Sequence, residues 1–269
     1  MFDGVEALAR HLPLKAVSVL VGLDERDRAK MLSWAAAFFN TLGPMPDDIN
    51  ALSPDLRADL ELLKELRDFF AGVDPASLAP GSWSAELFEA VVAGRLTESE
   101  ARGALRAFVL PSLDTTIYAK ANLLNNLARF PDQWRRLKED RSLIHGAILE
   151  SVRHSAVVRA FSRVAAEDYE ADEVLIPKGT RVMMMFGSAN RDERRYENPE
   201  MFDIGRNPRD QLGWGTGPHM CVGMHLAKLE LELLLESLLE HVETIEALSP
   251  TLGVNAGLYG IDHLPMRLN

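Results

Sequence analysis

The chain has 269 residues, and 47% of them are hydrophobic, which is enough apolar material for the core of one large globular domain. Its formal net charge of −11 argues against a nucleic-acid partner, because contacts with phosphates require a basic face. The single cysteine excludes an intramolecular disulfide, and there is neither a signal-peptide pattern nor an apolar run of about 18 residues, so we predict a cytoplasmic protein without membrane contact.

The first part of the chain is predicted to be helical. Apolar residues recur at helical spacing over residues 14–23 and 26–40, and residues 43–46 form a turn cluster that contains two prolines. Leucines alternate with charged residues at steps of three and four over residues 54–72, which predicts an amphipathic helix. Residues 73–84 contain prolines and a glycine and are predicted to be a loop.

One long helix is predicted to cross the domain from Thr97 to Arg129. Thr97 and Glu100 have the pattern of a capping box at its start, and Pro131 stops it. Pro111 lies in its middle, where we expect a kink because proline has no N–H to donate.

Asp114 and Thr115 follow this expected kink and allow two interpretations. An acid beside hydroxyl residues often marks an exposed or locally hydrogen-bonded turn of a helix. Alternatively, an acid–alcohol pair held in an opened helical groove can pass protons to bound oxygen.

The second half of the chain is predicted to contain a helix, a hairpin and a final helix. A helix over residues 142–154 carries Glu150 and Arg153 on one face, where they can form an ordinary surface ion pair. Residues 169–176 and 180–186 flank the turn signal at residues 177–179 and are predicted to pair as a hairpin. The final helix follows Cys221 to about residue 243, and residues 257–260 form a turn between short strands.

The only cysteine, Cys221, follows a glycine-rich loop where this final helix begins. A helix N-terminus favours thiolate, the form of cysteine that binds metal, and glycines leave room for a flat cofactor against the backbone. Three other interpretations remain open. The cysteine can be a small buried hydrophobic residue, it can form a zinc site with His219 and His225, or the glycines can form a phosphate loop without its usual lysine.

The segment WGTGPHMCVG, residues 214–223, resembles the haem-binding signature of the cytochrome P450 superfamily in its bacterial form. Every fixed position matches except the first, where Trp214 replaces phenylalanine. The resemblance implies that Cys221 is the axial thiolate ligand of the iron in haem b, that Trp214 packs near the sulfur, and that an arginine and a histidine contact the haem propionates. The cofactor-binding residues that it implies are Cys221, His219, Arg163, Trp214, Gly215 and Gly223.

The resemblance extends to the segment of the predicted kink. Asp114 and Thr115 match the acid and the alcohol of the family's oxygen-activation motif, and we predict them as catalytic residues. The sequence departs from the motif just before them, because Pro111 and Ser112 stand where the family has Ala-Gly. Those small residues leave room over the iron in the family.

Glu150 and Arg153 resemble the family's E-x-x-R motif, a structural ion pair that is buried behind the haem. The family usually completes this network with an arginine two residues after a proline. Met201 occupies that position here, which predicts a buried pair that is less well satisfied.

Among bacterial members of the family, the chain resembles those that oxidise para-substituted benzoates. That resemblance places Arg106 at a substrate carboxylate and Val158 and Leu258 in the substrate pocket. It also implies that a ferredoxin and its reductase supply electrons. A partly basic surface is the predicted docking site for an acidic ferredoxin, and it consists of Arg206, Arg209 and Lys228.

The resemblance covers nearly the whole chain, but the chain begins where the family's fold is already under way. We therefore predict a mainly α-helical fold with small β-sheets that lacks the N-terminal helices and part of the β-sheet of the cytochrome P450 fold. Residues 1–269 are predicted to be a single partial domain, with a helical half over 1–155 and the hairpin, cysteine loop and last helix over 156–269. Apolar faces left uncovered predict self-association.

The predicted function is that of a haem-thiolate monooxygenase that hydroxylates or demethylates a small aromatic or apolar acid. The alternative is a truncated, catalytically silent relative with weak or no haem binding. Bound haem with substrate-dependent spectra distinguishes the two.

Overall fold

A computed structural model of the chain describes residues 1–22, 28–43, 45–46, 48–253 and 257–269. The prediction of a mainly helical chain with small sheets is confirmed. Among the described residues the α-helices are α1 (His11–Val21), α2 (Arg28–Asn40), α3 (Pro54–Gly72), α4 (Trp83–Val92), α5 (Glu98–Val109), α6 (Asp114–Arg129), α7 (Pro131–Glu139), α8 (Ile144–His154), α9 (Phe186–Ala189) and α10 (Met224–His241). A π-helical turn, Val5–Ala9, precedes α1. Within the described ranges no helix has the length and apolar character that crossing a bilayer requires.

The β-structure is small and antiparallel. The described strands are β1 (Phe2–Asp3), β2 (Phe161–Val164), β3 (Tyr169–Ala171), β4 (Val174–Ile176), β5 (Arg181–Met184), β6 (Ile245–Ala247), β7 (Thr251–Leu252), β8 (Ile261–His263) and β9 (Pro265–Leu268). Strand β9 lies between β1 and β6, so both ends of the chain meet in one three-stranded sheet. The other strands form three separate pairs, β2 with β5, β3 with β4 and β7 with β8.

The hairpin predicted around residues 177–179 is wrong. Strand β3 pairs with β4, and the chain reverses between them at Asp172 and Glu173, whose φ angles are 46° and 67°. Two consecutive residues with positive φ form the kind of tight turn whose twist matches that of the flanking strands. Strand β5 pairs with β2 instead, so residues 177–179 connect two different ribbons.

Local capping explains where several helices begin. The Ser53 hydroxyl accepts a hydrogen bond from the Leu56 amide at 3.2 Å and caps α3. The predicted capping box of α5 is confirmed, because Thr97 and Glu100 bond each other's backbone N–H groups. The bonds from Thr97 lower the pKa of the Glu100 carboxyl.

Two helices were not predicted from the sequence. Helix α4 begins at Trp83, inside the segment predicted to be a loop, with Ser82 as its N-cap. Helix α7 begins at Pro131, the residue predicted to stop the preceding helix, because proline is well suited to the first position of a new one. The predicted turn at residues 43–46 lies partly outside the described residues, as does the start of the second predicted helix at residues 26–27.

The single long helix predicted from Thr97 to Arg129 is also wrong, because the chain breaks it into α5 and α6. Helix α5 ends at Val109 and α6 begins at Asp114. Pro111 has no N–H for the helical hydrogen bond, and the Ser112 amide donates to the Val109 carbonyl at 3.4 Å in a tighter turn. A break at this proline therefore replaces the expected kink.

The break coincides with a division of the apolar core. One buried cluster contains residues of α1, α2, α3 and α5, including Trp34 and Phe70. The other joins the π-helical turn to α6, α7, α8, α10 and the three-stranded sheet. From α1 onward the change from one cluster to the other falls between Leu113 and Ile117, whereas Val5 and Ala9 of the π-helical turn belong to the second cluster.

Candidate functional site

A cavity of about 1660 Å³ lies between the break that precedes α6, the cysteine loop at residues 212–223 and the ribbon of β2 and β5. We call it the main cavity. Its volume exceeds the roughly 300–1,000 Å³ of a typical small-ligand site, so it has room for a large cofactor together with a substrate. The predicted site residues that line it are Arg106, Thr115, Val158, Arg163, Trp214, Gly215, His219, Cys221 and Gly223.

The remaining predicted site residues lie outside the lining of this cavity. Leu258 is buried and forms a β-bridge with Val158, behind the wall rather than on it. Glu150 and Arg153 are fully buried in α8. Asp114 also lies off the cavity, although it is next to Thr115 in the chain.

The cysteine loop holds Cys221 by backbone geometry. The Cys221 amide donates to the Trp214 carbonyl at 2.8 Å, which closes the loop. Gly215 and Gly217 have φ angles of 68° and 65°, a left-handed conformation that glycine adopts without a steric penalty. Helix α10 begins three residues after the cysteine, at Met224, so the thiol lies just before a helix N-terminus.

The pKa of Cys221 corrects the expectation that this helix end by itself yields a thiolate. Cys221 is exposed at the cavity, but desolvation by the protein around it raises the pKa of the thiol, and the backbone N–H groups of Gly223 and Met224 offset only part of that effect. A bound metal ion removes the proton because it stabilises the thiolate directly. Zinc is a poor fit, because the described residues contain no cluster of three or more His, Cys, Asp or Glu side chains that would complete a site.

The residues of the main cavity fit a haem group. A flat macrocycle needs a donor atom for its metal, apolar walls and groups that bind its two carboxylates. Cys221 supplies a thiol in the lining of the main cavity. Arg163 and His219 are exposed at the cavity and are of the types that bind carboxylates. The indole Nε1 of Trp214 is buried and has no hydrogen-bond partner among the described residues, so it remains available to a ligand.

The break between α5 and α6 presents hydroxyl groups to the main cavity, which the cysteine loop also lines. Ser112 and Thr115 both line it. The Ser112 hydroxyl donates to the Phe108 carbonyl and the Thr115 hydroxyl to the Pro111 carbonyl, so the groups that lost their helical partners at the break are bonded by side chains. The sequence motif singled out Thr115 and treated Ser112 only as a departure.

Asp114 lies on the other side of α6, away from the main cavity. Burial raises the pKa of its carboxyl to about 6, with the charge of Arg10 lowering it and the charge of Asp262 raising it. The Tyr118 hydroxyl donates to Asp262 at 2.7 Å in the same cluster. The acid and the alcohol of the predicted pair therefore occupy two environments. The carboxyl of Asp114 titrates near neutral pH away from the cavity, and the hydroxyl of Thr115 faces the cavity.

Glu150 and Arg153 form a buried ion pair rather than the surface pair that the sequence also allowed. Two N–H groups of the Arg153 guanidinium donate to the two carboxylate oxygens of Glu150, each at 2.7 Å, and both side chains are 0% exposed. The remaining Arg153 donors bond the carbonyls of Asn190, Pro199 and Met201 at 2.8, 2.9 and 3.1 Å. This guanidinium fixes the chain that leads to the cysteine loop.

The expectation that Met201 leaves this pair poorly satisfied is wrong. Arg206 supplies a second guanidinium, with its Nε 3.3 Å from a Glu150 oxygen that also accepts the Asp203 amide. Arg206 further donates to the Glu197 and Asn198 carbonyls, so it belongs to this network rather than to an exposed basic surface. Sequence motifs missed it because it lies in a loop without periodic spacing.

A second buried ion pair joins the two helices that flank the main cavity. Lys120 of α6 and Glu230 of α10 are 3.0 Å apart, and their side chains are 0% and 4% exposed. Burial lowers the pKa of Lys120 and raises that of Glu230, and each charge opposes the shift of the other. The pair links the helix that carries Thr115 to the helix that follows Cys221.

Comparison with known sequences finds one family. The family described as Cytochrome P450 matches residues 87–247. Cytochrome p450 CYP199A2 of Rhodopseudomonas palustris is 34% identical over 99% of this chain and 63% of its own length. Cytochrome P450-terp of a Pseudomonas species is 34% identical over 93% of this chain and 61% of its own length. The chain therefore spans about three fifths of the length of these curated relatives.

Solved structures agree with the sequences. A cytochrome p450-like monooxygenase of microbial secondary metabolism superimposes with a TM-score of 0.87 at 31% identity, over 98% of this chain and 70% of its own. CYP109E1 from Bacillus megaterium, solved with testosterone, gives a TM-score of 0.90 at 25% identity, over 100% of this chain and 71% of its own. Members of the matched family bind haem b, the group that the main cavity fits. The chain belongs to the cytochrome P450 family.

Proposed function

We propose that this protein is a haem-thiolate monooxygenase that inserts one oxygen atom from O₂ into a small aromatic or apolar acid. The observation that carries the proposal is that Cys221 and Thr115, which lie 106 positions apart in the chain, line the same cavity. Bound haem supplies the dioxygen chemistry that side chains lack. Cys221 would hold this group through its sulfur, and Arg163 and His219 would bind its carboxylates.

The side chains of the cavity have separate roles in this proposal. Thr115 and Ser112 hold hydroxyl oxygens at the break between α5 and α6, and because their protons are donated to backbone carbonyls, these oxygens can accept a hydrogen bond from a group in the cavity. Asp114, with its pKa raised to about 6, gains and loses a proton near neutral pH and supplies protons from behind the helix.

Substrate binding is proposed to depend on Arg106. Arg106 lines the main cavity, whose lining also includes aromatic side chains such as Phe161 and Phe186, and this combination suits an apolar ring that carries a carboxylate. Val158 lines the same cavity. Leu258 acts only indirectly, by supporting Val158 through their bridge.

We propose that a ferredoxin and its reductase supply the electrons. Arg206 is removed from the predicted docking surface by its bonds to Glu150, which leaves Arg209 and Lys228 near the cysteine loop. Self-association and a cytoplasmic location stay predictions from the sequence. The silent alternative is not favoured by the comparisons, in which the relatives are named monooxygenases.

An absorption spectrum tests the proposal. After haem reconstitution, the reduced protein with carbon monoxide should show the strongly red-shifted Soret band of thiolate ligation. Cys221→Ser should lose that band, whereas Leu229→Ala, at an exposed position of α10 that lines neither cavity, should keep it. A para-substituted benzoate should shift the spectrum of the oxidised protein, and Arg106→Gln should weaken that binding. The absence of any Soret band after reconstitution would refute the proposal for this chain.

A further inference from the structure

A second cavity of about 620 Å³ lies on the other side of one wall of the main cavity. The wall consists of residues 156–161 and 184–188, which are joined by the bond from the Gly187 amide to the Arg159 carbonyl at 2.9 Å. The residues of the wall divide between the two cavities. Those that line the main cavity are Val157, Val158, Phe161, Met184 and Phe186. Those that line the second cavity are Ala156, Arg159, Met185, Gly187 and Ser188.

The second cavity is positively charged. Its lining includes four arginines and no aspartate or glutamate, in a chain whose net charge is −11: Arg129, Arg153, Arg159 and Arg191. Arg153 is paired with Glu150. Arg191 is paired with Glu200. Among the described residues, Arg129 and Arg159 have no acidic partner within salt-bridge distance; each lies over an aromatic ring instead. Two cations therefore face this cavity without a counter-charge.

Arg159 is held in a defined orientation. Its guanidinium carbon lies 3.3 Å from the centre of the Tyr259 ring, and the Tyr259 amide donates to the Val157 carbonyl at 2.7 Å. Stacking occupies the face of the guanidinium and leaves its N–H groups at the edge, where they can bond both oxygens of a carboxylate or phosphate. Orienting the side chain in advance reduces the entropy lost when an anion binds.

The other lining residues suit a small organic anion. Asn125 and Ser188 supply neutral hydrogen-bonding groups, and Met185, Leu252 and Ile261 supply apolar surface, so the arginines share a cavity of ligand size with both kinds of group. His154 borders the same space, and burial followed by the nearby charge of Arg191 lowers its pKa to about 4, so it is neutral at physiological pH.

We propose that the second cavity is a binding site for a small organic oxyanion, a carboxylate or a phosphate monoester, that is held by Arg159 and Arg129. The site is separate from the proposed haem and substrate site and does not depend on it. Because the two cavities share a wall, an anion that orders Arg159 also restrains the backbone of Val158, which lines the main cavity.

Isothermal titration of the full chain with benzoate and with phenyl phosphate tests the proposal, because these probes share a ring and differ in the anion. Binding of at least one of them should weaken roughly tenfold or more in Arg159→Gln and in Arg129→Gln, as expected for loss of a charge-assisted hydrogen bond. Arg135→Gln is the matched control, since Arg135 is exposed on α7 and lines neither cavity.

Two further variants separate this site from the others. Arg106→Gln should leave the binding event that Arg159→Gln removes, because Arg106 lines only the main cavity. Arg159→Lys keeps the charge without the planar fork and should bind with intermediate affinity, which also covers the case in which the glutamine variant fails to fold. No binding of either probe, or equal binding by the Arg159→Gln and Arg135→Gln variants, would overturn the proposal.

Discussion

Replacing Arg206 with glutamine should destabilise the protein although no sequence motif includes this residue. Its Nε lies 3.3 Å from the carboxylate of Glu150, which is 0% exposed and already paired with Arg153. Its two terminal nitrogens donate to the Glu197 and Asn198 carbonyls at 2.8 and 3.3 Å. The substitution removes one charge-assisted hydrogen bond to a buried carboxylate and two bonds to loop carbonyls.

The expected loss follows from the environment of each bond. A hydrogen bond to a charged group contributes about 1.5–3 kcal/mol, and Glu150 keeps its bidentate partner, so the cost stays below the roughly 3–5 kcal/mol of breaking a buried pair. Because the two loop carbonyls lie in exposed residues, water can replace their lost donors. We therefore expect Arg206→Gln to lower the free energy of unfolding by about 2–3 kcal/mol.

Urea-induced unfolding followed by circular dichroism measures this change. Arg209→Gln is the matched control, because Arg209 is exposed in the same loop, and it should change stability by less than about 0.5 kcal/mol. Equal losses in the two variants would refute the assignment of Arg206 to the buried network. A loss in Arg206→Gln as large as that in Arg153→Leu would show that Arg206 is an equal partner of the pair.

Three other predictions concern buried titratable groups. Lys120→Met should cost about 3–5 kcal/mol because it leaves Glu230 buried without a partner, whereas the double variant with Glu230→Leu should recover most of the loss in the same unfolding assay. The pKa of the Asp114 carboxyl is near 3.8 in the unfolded chain and about 6 in the folded protein. The stability that this carboxyl contributes should therefore be present at low pH and be lost as the pH rises through this range. Asp114→Asn should remove this pH dependence, as measured by thermal unfolding at several pH values. When the rate of Cys221 alkylation by iodoacetamide is measured against pH, its midpoint should lie above the ordinary pKa of a thiol, and haem should suppress the reaction. A midpoint below the ordinary thiol pKa would contradict the role of desolvation.

The break at Pro111 changes how the hydroxyl groups and the acid of this segment are arranged. A continuous helix would leave Ser112 as an ordinary helical residue, whereas the break brings its hydroxyl and that of Thr115 to the main cavity. The same break directs Asp114 toward Arg10 and Asp262 on the opposite side. The departure from the family's small residues therefore adds a hydroxyl group to the cavity and does not close it.

The sequence by itself determined the features that depend on near neighbours. The capping box of Thr97 and Glu100 and the spacing of Glu150 and Arg153 place partners within one helical turn, so residue types and spacing were sufficient. The segment around Cys221 was equally informative, because a short loop fixes the thiol relative to the helix that follows it.

Only the tertiary structure decided the features that depend on distant partners. Strand β5 pairs with β2 and not with β4, its neighbour in the chain. Arg206 binds Glu150, which lies 56 positions earlier in the chain. The raised pKa values of Asp114 and Cys221 follow from burial, which residue spacing does not encode. The physical reason is common to these cases: packing brings together groups whose separation in the chain carries no local signal, and removal of water then sets their charge.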